Sequence, residues 1–137
     1  MSSIIEFFVA AGDDEAAGTV EDGPDESFET ASYGDFDAWS SVEEWESLLT
    51  GRDGGGPELI AGDEEEPLVL RVPPALTAAL ARAGDEALTD LTARWLDLRA
   101  EQGEEIDEML AAELVSEVAT LATDAVRTNA SLYCWIG

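Results

Sequence analysis

Residues 131–137 read SLYCWIG, and their pattern restricts the kind of fold the chain can adopt. Leu132, Cys134 and Ile136 alternate with Tyr133 and Trp135, so an extended strand here is apolar on both faces. Left at a sheet edge, it would offer unpaired backbone and apolar side chains to other molecules, so it is expected to pair inside a sheet. The opposite end of the sequence makes the same demand. Over residues 3–10, Ile5, Phe7 and Val9 alternate with Ile4, Phe8 and Ala10, and only Glu6 interrupts, which predicts another strand covered on both sides. A central sheet including both chain termini follows.

Working inward, LVLRVP at 68–73 gives a further strand, with Leu68, Leu70 and Val72 on one face and Val69 and Arg71 on the other. Arg71 is expected to be partly exposed or paired to an acid. Pro73 and Pro74 switch the chain to helix, since proline suits a first helical turn and cannot serve a central ladder. Leu76, Ala79, Leu80 and Ala83 then run at helical spacing to Gly84. A second helix spans 85–100, with Leu88, Leu91, Trp95 and Leu98 on one stripe and Gly103 beyond its end. A third starts at Asp107 as N-cap and carries Leu110, Leu114, Val118, Leu121 and Ala125. Earlier, WSSVEEWESLLTG at 39–51 predicts a shorter helix: Ser41 and Glu44 as a capping box, Val42, Trp45, Leu48 and Leu49 as the stripe, and Gly51 as the stop. The fold class expected is α/β, a small layered domain whose sheet is covered by three or four helices. The long helical connection between 68–73 and 131–137 favours a right-handed crossover, hence parallel pairing of these two strands if they are adjacent.

One domain is expected over 1–137, with acidic flexible loops at about 11–30 and 51–67. The first is rich in Asp, Glu and Gly, with one helical turn around 15–17. Phe28, Tyr33 and Phe36 are expected to tether this region to the core. The second contains three consecutive glycines and the acid run Asp63, Glu64, Glu65 and Glu66.

Charge dominates the composition: 32 acidic residues stand against six arginines, with no lysine or histidine, for a formal net charge of −26. Such a field disfavours binding to nucleic acid or to an anionic membrane surface, and its natural complement is a basic protein partner. Surface solvation, or a high-salt or GC-rich genome that favours Arg, Asp, Glu and Ala, is the competing explanation. Cys134 stands alone, so no intramolecular disulfide forms; the apolar run at 4–10 is interrupted by Glu6 and follows no basic residue, so a signal peptide is not expected, and no apolar run reaches bilayer length. A cytoplasmic location is expected.

The absence of histidine excludes Ser/His/Asp and Cys/His nucleophile systems and His-ligated zinc, and one cysteine excludes thiolate clusters. GRDGGGPEL lacks the GK[ST] ending of a phosphate loop and reads as a linker. Acid pairs such as Asp13 with Asp14 and Asp35 with Asp37 read as solvated surface, and no segment has EF-hand spacing. No catalytic, cofactor or metal residue is therefore assigned. Trp45, Trp95 and Trp135 are expected in the core, as is Cys134. Trp39, beside Asp35 and Asp37, suits a cationic side chain over its ring; a hydrophobic staple onto the first helical turn is the structural alternative. Candidate partner-binding residues are Asp35, Asp37, Trp39, Asp63, Glu64, Glu65 and Glu66.

The order of elements, together with Leu48-Leu49-Thr50-Gly51, resembles the YfbM-like family of small bacterial proteins, whose biochemical role is not established. That family's pattern has Trp and His in the helix before this motif, where Val42 and Glu46 stand here. The resemblance implies a layered α/β fold and no defined activity. The arginine-only basic set also resembles that of acidic actinobacterial proteins.

Three functions fit the sequence. The leading one is a non-enzymatic, immunity- or inhibitor-like interaction module for a basic protein, with the acidic stretches 13–29 and 51–66 as contact region. An enzyme using carboxylates or a bound metal on a neutral or cationic small molecule would require a concave pocket with buried, perturbed acids. A nucleic-acid mimic would require carboxylates in two rows at phosphate-like spacing.

Overall fold

A computed structural model describes residues 4–24, 28–34, 36–51, 56–62 and 67–137. Five strands, β1 (Ile4–Ala10), β2 (Thr30–Gly34), β3 (Glu58–Ala61), β4 (Leu68–Arg71) and β5 (Ser131–Ile136), form one sheet in the order β2-β1-β5-β4-β3. The two outermost segments of the sequence thus occupy the middle of the sheet, as their two-sided apolar patterns require. All four pairings are antiparallel. The described residues also form five helices: α1 (Asp13–Ala17), α2 (Ala38–Thr50), α3 (Pro74–Arg82), α4 (Asp85–Glu101) and α5 (Glu108–Arg127).

Strand alternation divides the interior into two layers. Ile5, Phe7, Leu68, Leu70, Leu132 and Cys134 face α2, α3 and α5, whose buried stripes include Val42, Trp45, Leu76, Leu80, Leu114 and Val118. On the opposite face, Phe8, Ala10, Val69, Tyr133 and Trp135 pack under Ala16 of α1, Val20 and Phe28. Helix α4 lies outside the first layer against α2 and α5. It reaches inward through Trp95, which meets Trp45 edge-on with ring centroids 5.1 Å apart. Phe36 tethers the chain ahead of α2 by a similar contact with Trp95 at 5.9 Å. The α/β expectation holds, and Pro74 opens α3 as anticipated.

Several expectations are corrected. The strands at 68–71 and 131–136 are neighbours but run antiparallel, with Leu68 opposite Ile136 and Arg71 opposite Tyr133. The crossover rule governs one return pass over a sheet. Here α3, α4 and α5 break the connection into several reversals, which leaves the direction of return open. Two strands went unanticipated. β2 is short and mixed in composition, and β3 lies inside the stretch expected to be loop; each is formed by pairing with a neighbour rather than by its own pattern. Arg71 recruits β3 directly, pairing across the ladder with Glu58.

The start of α2 also differs. Asp37, not Ser41, is the N-cap, and its Oδ1 accepts a hydrogen bond from the Ser40 backbone N–H at 3.0 Å. Ser41 is buried inside the helix, and Glu44 turns away to an arginine. Two cap-competent residues, Asp37 and Ser41, stand four apart, and the burial of Ala38 and Val42 decides between them. Gly51 ends α2 as expected, at φ 72°. That left-handed backbone favours glycine.

Candidate functional site

The predicted partner-binding set meets the structure at the corner where α2 crosses α4. Asp37 and Trp39 both lie there, in the cap and first turn of α2, and Trp39 remains 38% exposed. Trp39 therefore sits within the helix instead of preceding its cap. Asp35, Asp63, Glu64, Glu65 and Glu66 lie outside the described residues.

The same corner is held by Arg99 of α4, whose side chain is 5% exposed. Its Nε and Nη2 donate to the two carboxylate oxygens of Glu44 at 2.8 and 2.5 Å, a forked pairing that holds α4 to α2. Nη1 reaches Glu104 Oε1 at 3.4 Å and lies 3.8 Å from Asp37 Oδ2. Glu104 Oε2 in turn accepts the Asp37 backbone N–H at 3.0 Å. The neighbouring acids hold the guanidinium more firmly charged than usual, Glu44 foremost. Asp37 is thus committed to the fold twice, as helix cap and as part of this ion-pair cluster.

Acids on the opposite face of the sheet are similarly occupied. Asp13 accepts from the Tyr133 hydroxyl and from Arg71 Nη1, both at 2.8 Å, which fastens α1 over the second layer. Burial, then the hydrogen bond to Asp13, pushes the Tyr133 hydroxyl up to about 12. Burial pushes the Cys134 thiol up as well. Glu6, facing the second layer, has its carboxyl raised by burial, partly offset by a hydrogen bond from Ser32.

Beneath the α2–α4 corner, Ser41 Oγ, Trp45 Nε1, Glu46 Oε1 and Trp95 Nε1 are buried without hydrogen-bond partners. A carboxylate-based enzyme would need such groups to open into a pocket. The corner depression of about 360 Å³ is instead lined by Ser40, Glu43, Glu44, Ser47, Arg99 and Gln102. None of the four unpartnered groups lines it. Among the described residues no three Asp, Glu or Cys side chains converge as a metal site would require.

The feature that stands out as a binding surface is a long groove between α4 and α5. Its first section, about 380 Å³, has a floor of Leu88, Thr92, Ala93, Leu96 and Ala112. Its second, about 540 Å³, continues past Leu96 and Ala100 to the α4–α5 loop. The sections share Leu96 and Glu108 and so form one trough. Among the described residues, every charged residue lining it is acidic: Asp85 at one end, and Asp97, Glu104, Glu105, Asp107 and Glu108 at the loop end. Met109 is 80% exposed one helical turn before Ala112, on the same side of α5. Leu110, expected on the buried stripe, is 42% exposed in the first turn of α5, where Ala111 takes the buried position instead.

The sequence reading missed this groove because it assigned α4 a single stripe. Leu88 and Leu96 stand eight residues apart with Thr92 midway, so they form a second row beside Leu91 and Trp95. An apolar face wider than one partner helix covers was the available signal. No protein-family model matches the chain, and no curated protein or solved structure matches it.

Proposed function

We propose that this protein is a non-enzymatic interaction module that binds a basic protein, in the manner of an immunity or inhibitor protein. One observation carries the reading: on a chain of net charge −26, a trough with an apolar first section and an acid-lined second section has, among the described residues, only acids as its charged lining. Apolar floor supplies affinity through desolvation, while a single-sign rim selects partners of opposite charge and speeds encounter. Arg71, Arg94, Arg99 and Arg127 are engaged in ion pairs with the protein's own acids, and none of them lines the trough. This reading moves the contact surface from the acidic loops to α4 and α5. A cytoplasmic, bacterial setting belongs to the same proposal, the bacterial part resting on the acidic, arginine-only composition and the cytoplasmic part on the single, buried cysteine. The YfbM-like resemblance remains part of it, resting on the Leu48-Leu49-Thr50-Gly51 motif and the order of elements.

The test compares capture from the source cell's lysate by the native protein and by a rim-neutralised variant, Asp97→Asn, Glu105→Gln and Glu108→Gln, which leaves Glu104 to its Arg99 and Asp37 contacts. The expected result is one basic protein retained stoichiometrically by the native chain, released by salt, and lost with the variant. Retention of the same protein by both would remove the groove from the reading. Capture of no basic protein would remove the reading itself.

A further inference from the structure

Resting on that reading, we propose that the groove between α4 and α5 receives a single amphipathic helix of the partner, with an apolar stripe flanked by Arg or Lys concentrated towards one end. Shape comes first. The trough follows α4 from Asp85 to Ala100, a length of about 22 Å at the rise of an α-helix, which matches a partner helix of about 15 residues. It runs between two packed helices of the same chain, so a third helix laid along it would meet both. Leu88, Thr92 and Leu96 recur every four residues along its floor, one helical turn apart. This spacing fits apolar anchors at i, i+4, i+7 and i+11 on the incoming helix. Ala93 and Ala112 are small, and let a second backbone approach closely. The nearby exposed Met109 supplies an adaptable apolar contact.

Charge then selects the occupant. Acids crowd the loop end, where Asp97, Glu104, Glu105, Asp107 and Glu108 lie, whereas Asp85 is alone at the other end. The basic residues of the partner helix are therefore placed at the loop end, and its apolar anchors over Leu88 and Thr92. A second copy of this chain is a poor occupant, because each copy carries −26 and would bring an acidic rim against an acidic rim. Polar extended peptides are disfavoured too: Thr92 Oγ1 already donates to the Leu88 carbonyl at 2.8 Å, and a floor of helix surface offers no strand edge for pairing.

The probe is a synthetic peptide of about 16 residues, with leucines at the stated spacing, lysine and arginine gathered towards one end, and alanine and glutamine elsewhere. Its control has identical composition in scrambled order, so the two differ in amphipathicity and not in charge. Binding of each to the intact protein is measured by calorimetry at low and moderate salt. The amphipathic peptide is expected to bind at least tenfold more tightly than the scrambled one. Ala112→Arg, at an exposed position on the groove floor, is expected to weaken it at least tenfold. Ala87→Arg makes the same charge change on an exposed part of α4 outside the groove, and should weaken binding by less than twofold. Circular dichroism of both variants checks that the fold is kept.

Equal affinity for the two peptides, or equal weakening by the two variants, overturns the assignment and leaves only diffuse charge attraction. A concentration-dependent dimer in sedimentation that Ala112→Arg abolishes would also overturn it, giving the groove to a second copy. These failures are separable from failure of the module reading. If the peptides are not distinguished while rim neutralisation still releases a basic protein from the lysate, the helix assignment falls and the module stands.

Discussion

Replacing Arg99 by methionine tests how the α2–α4 corner is held. The side chain is 5% exposed, and it carries the forked pairing to Glu44 and the bond to Glu104. Methionine keeps much of the packing volume but removes the charge, leaving Glu44 and Glu104, at 20% and 27% side-chain exposure, without their cation. Removing one partner of a fully buried pair costs about 3–5 kcal/mol. Water reaches part of both carboxylates, so the discounted expectation is about 2–3 kcal/mol. For a domain of this size that corresponds to a fall in Tm of roughly 6–10 °C. Calorimetric melting at neutral pH and moderate salt measures it. The double variant Arg99→Met/Glu44→Gln should recover about 1–2 kcal/mol, because the stranded carboxylate becomes neutral. A loss below about 1 kcal/mol for the single variant, or no recovery in the double, would show that the corner is held by packing and not by the ion pair.

The helix cap gives a paired prediction: Asp37→Ala should destabilise by about 1 kcal/mol, whereas Ser41→Ala, at a buried hydroxyl without a partner, should be neutral or stabilise by up to about 1 kcal/mol. Urea unfolding distinguishes them, and the reverse order would restore Ser41 as the cap. Burial raises the Glu6 carboxyl, so the folded state holds a proton that the unfolded chain releases. Stability from this group is therefore lost as pH rises from 4.5 through the folded-state value, and Glu6→Gln should gain on the native protein across that range. Parallel pH profiles of melting temperature for the two proteins would contradict it. Finally, a chain of charge −26 should gain thermal stability as sodium chloride screens its self-repulsion, and a melting temperature that falls with salt would speak against unneutralised acid as the main electrostatic term.

The strands with strong patterns of their own were legible, and those made by their neighbours were not. SLYCWIG and IIEFFVA carry enough apolar residues on both faces to dictate a central position. LVLR, joined to two prolines, gives away both strand and switch. β2, reading TASYG, and β3, reading ELIA, bury little of their own and exist because β1 and β4 have open edges to pair. Ion pairing was half legible: Arg71 had to find an acid, but Asp13 and Glu58 are 58 and 13 residues away, and spacing cannot select them among 32. The same limit applies to the candidate site. Asp37 and Trp39 stand out locally, yet the groove arises only when α4 and α5 are set side by side, with Ala112 brought opposite Ala93 and Leu96.

The most direct test of the central claim, that the α4–α5 groove and not the acidic surface at large is the binding face, is backbone amide shift mapping of the labelled protein with the amphipathic basic peptide. Saturable shifts are expected along residues 85–100 and 104–116, with the α1 region around the Asp13–Tyr133 contact unmoved. Weak shifts spread over acids on every face, growing without saturation, would contradict the account.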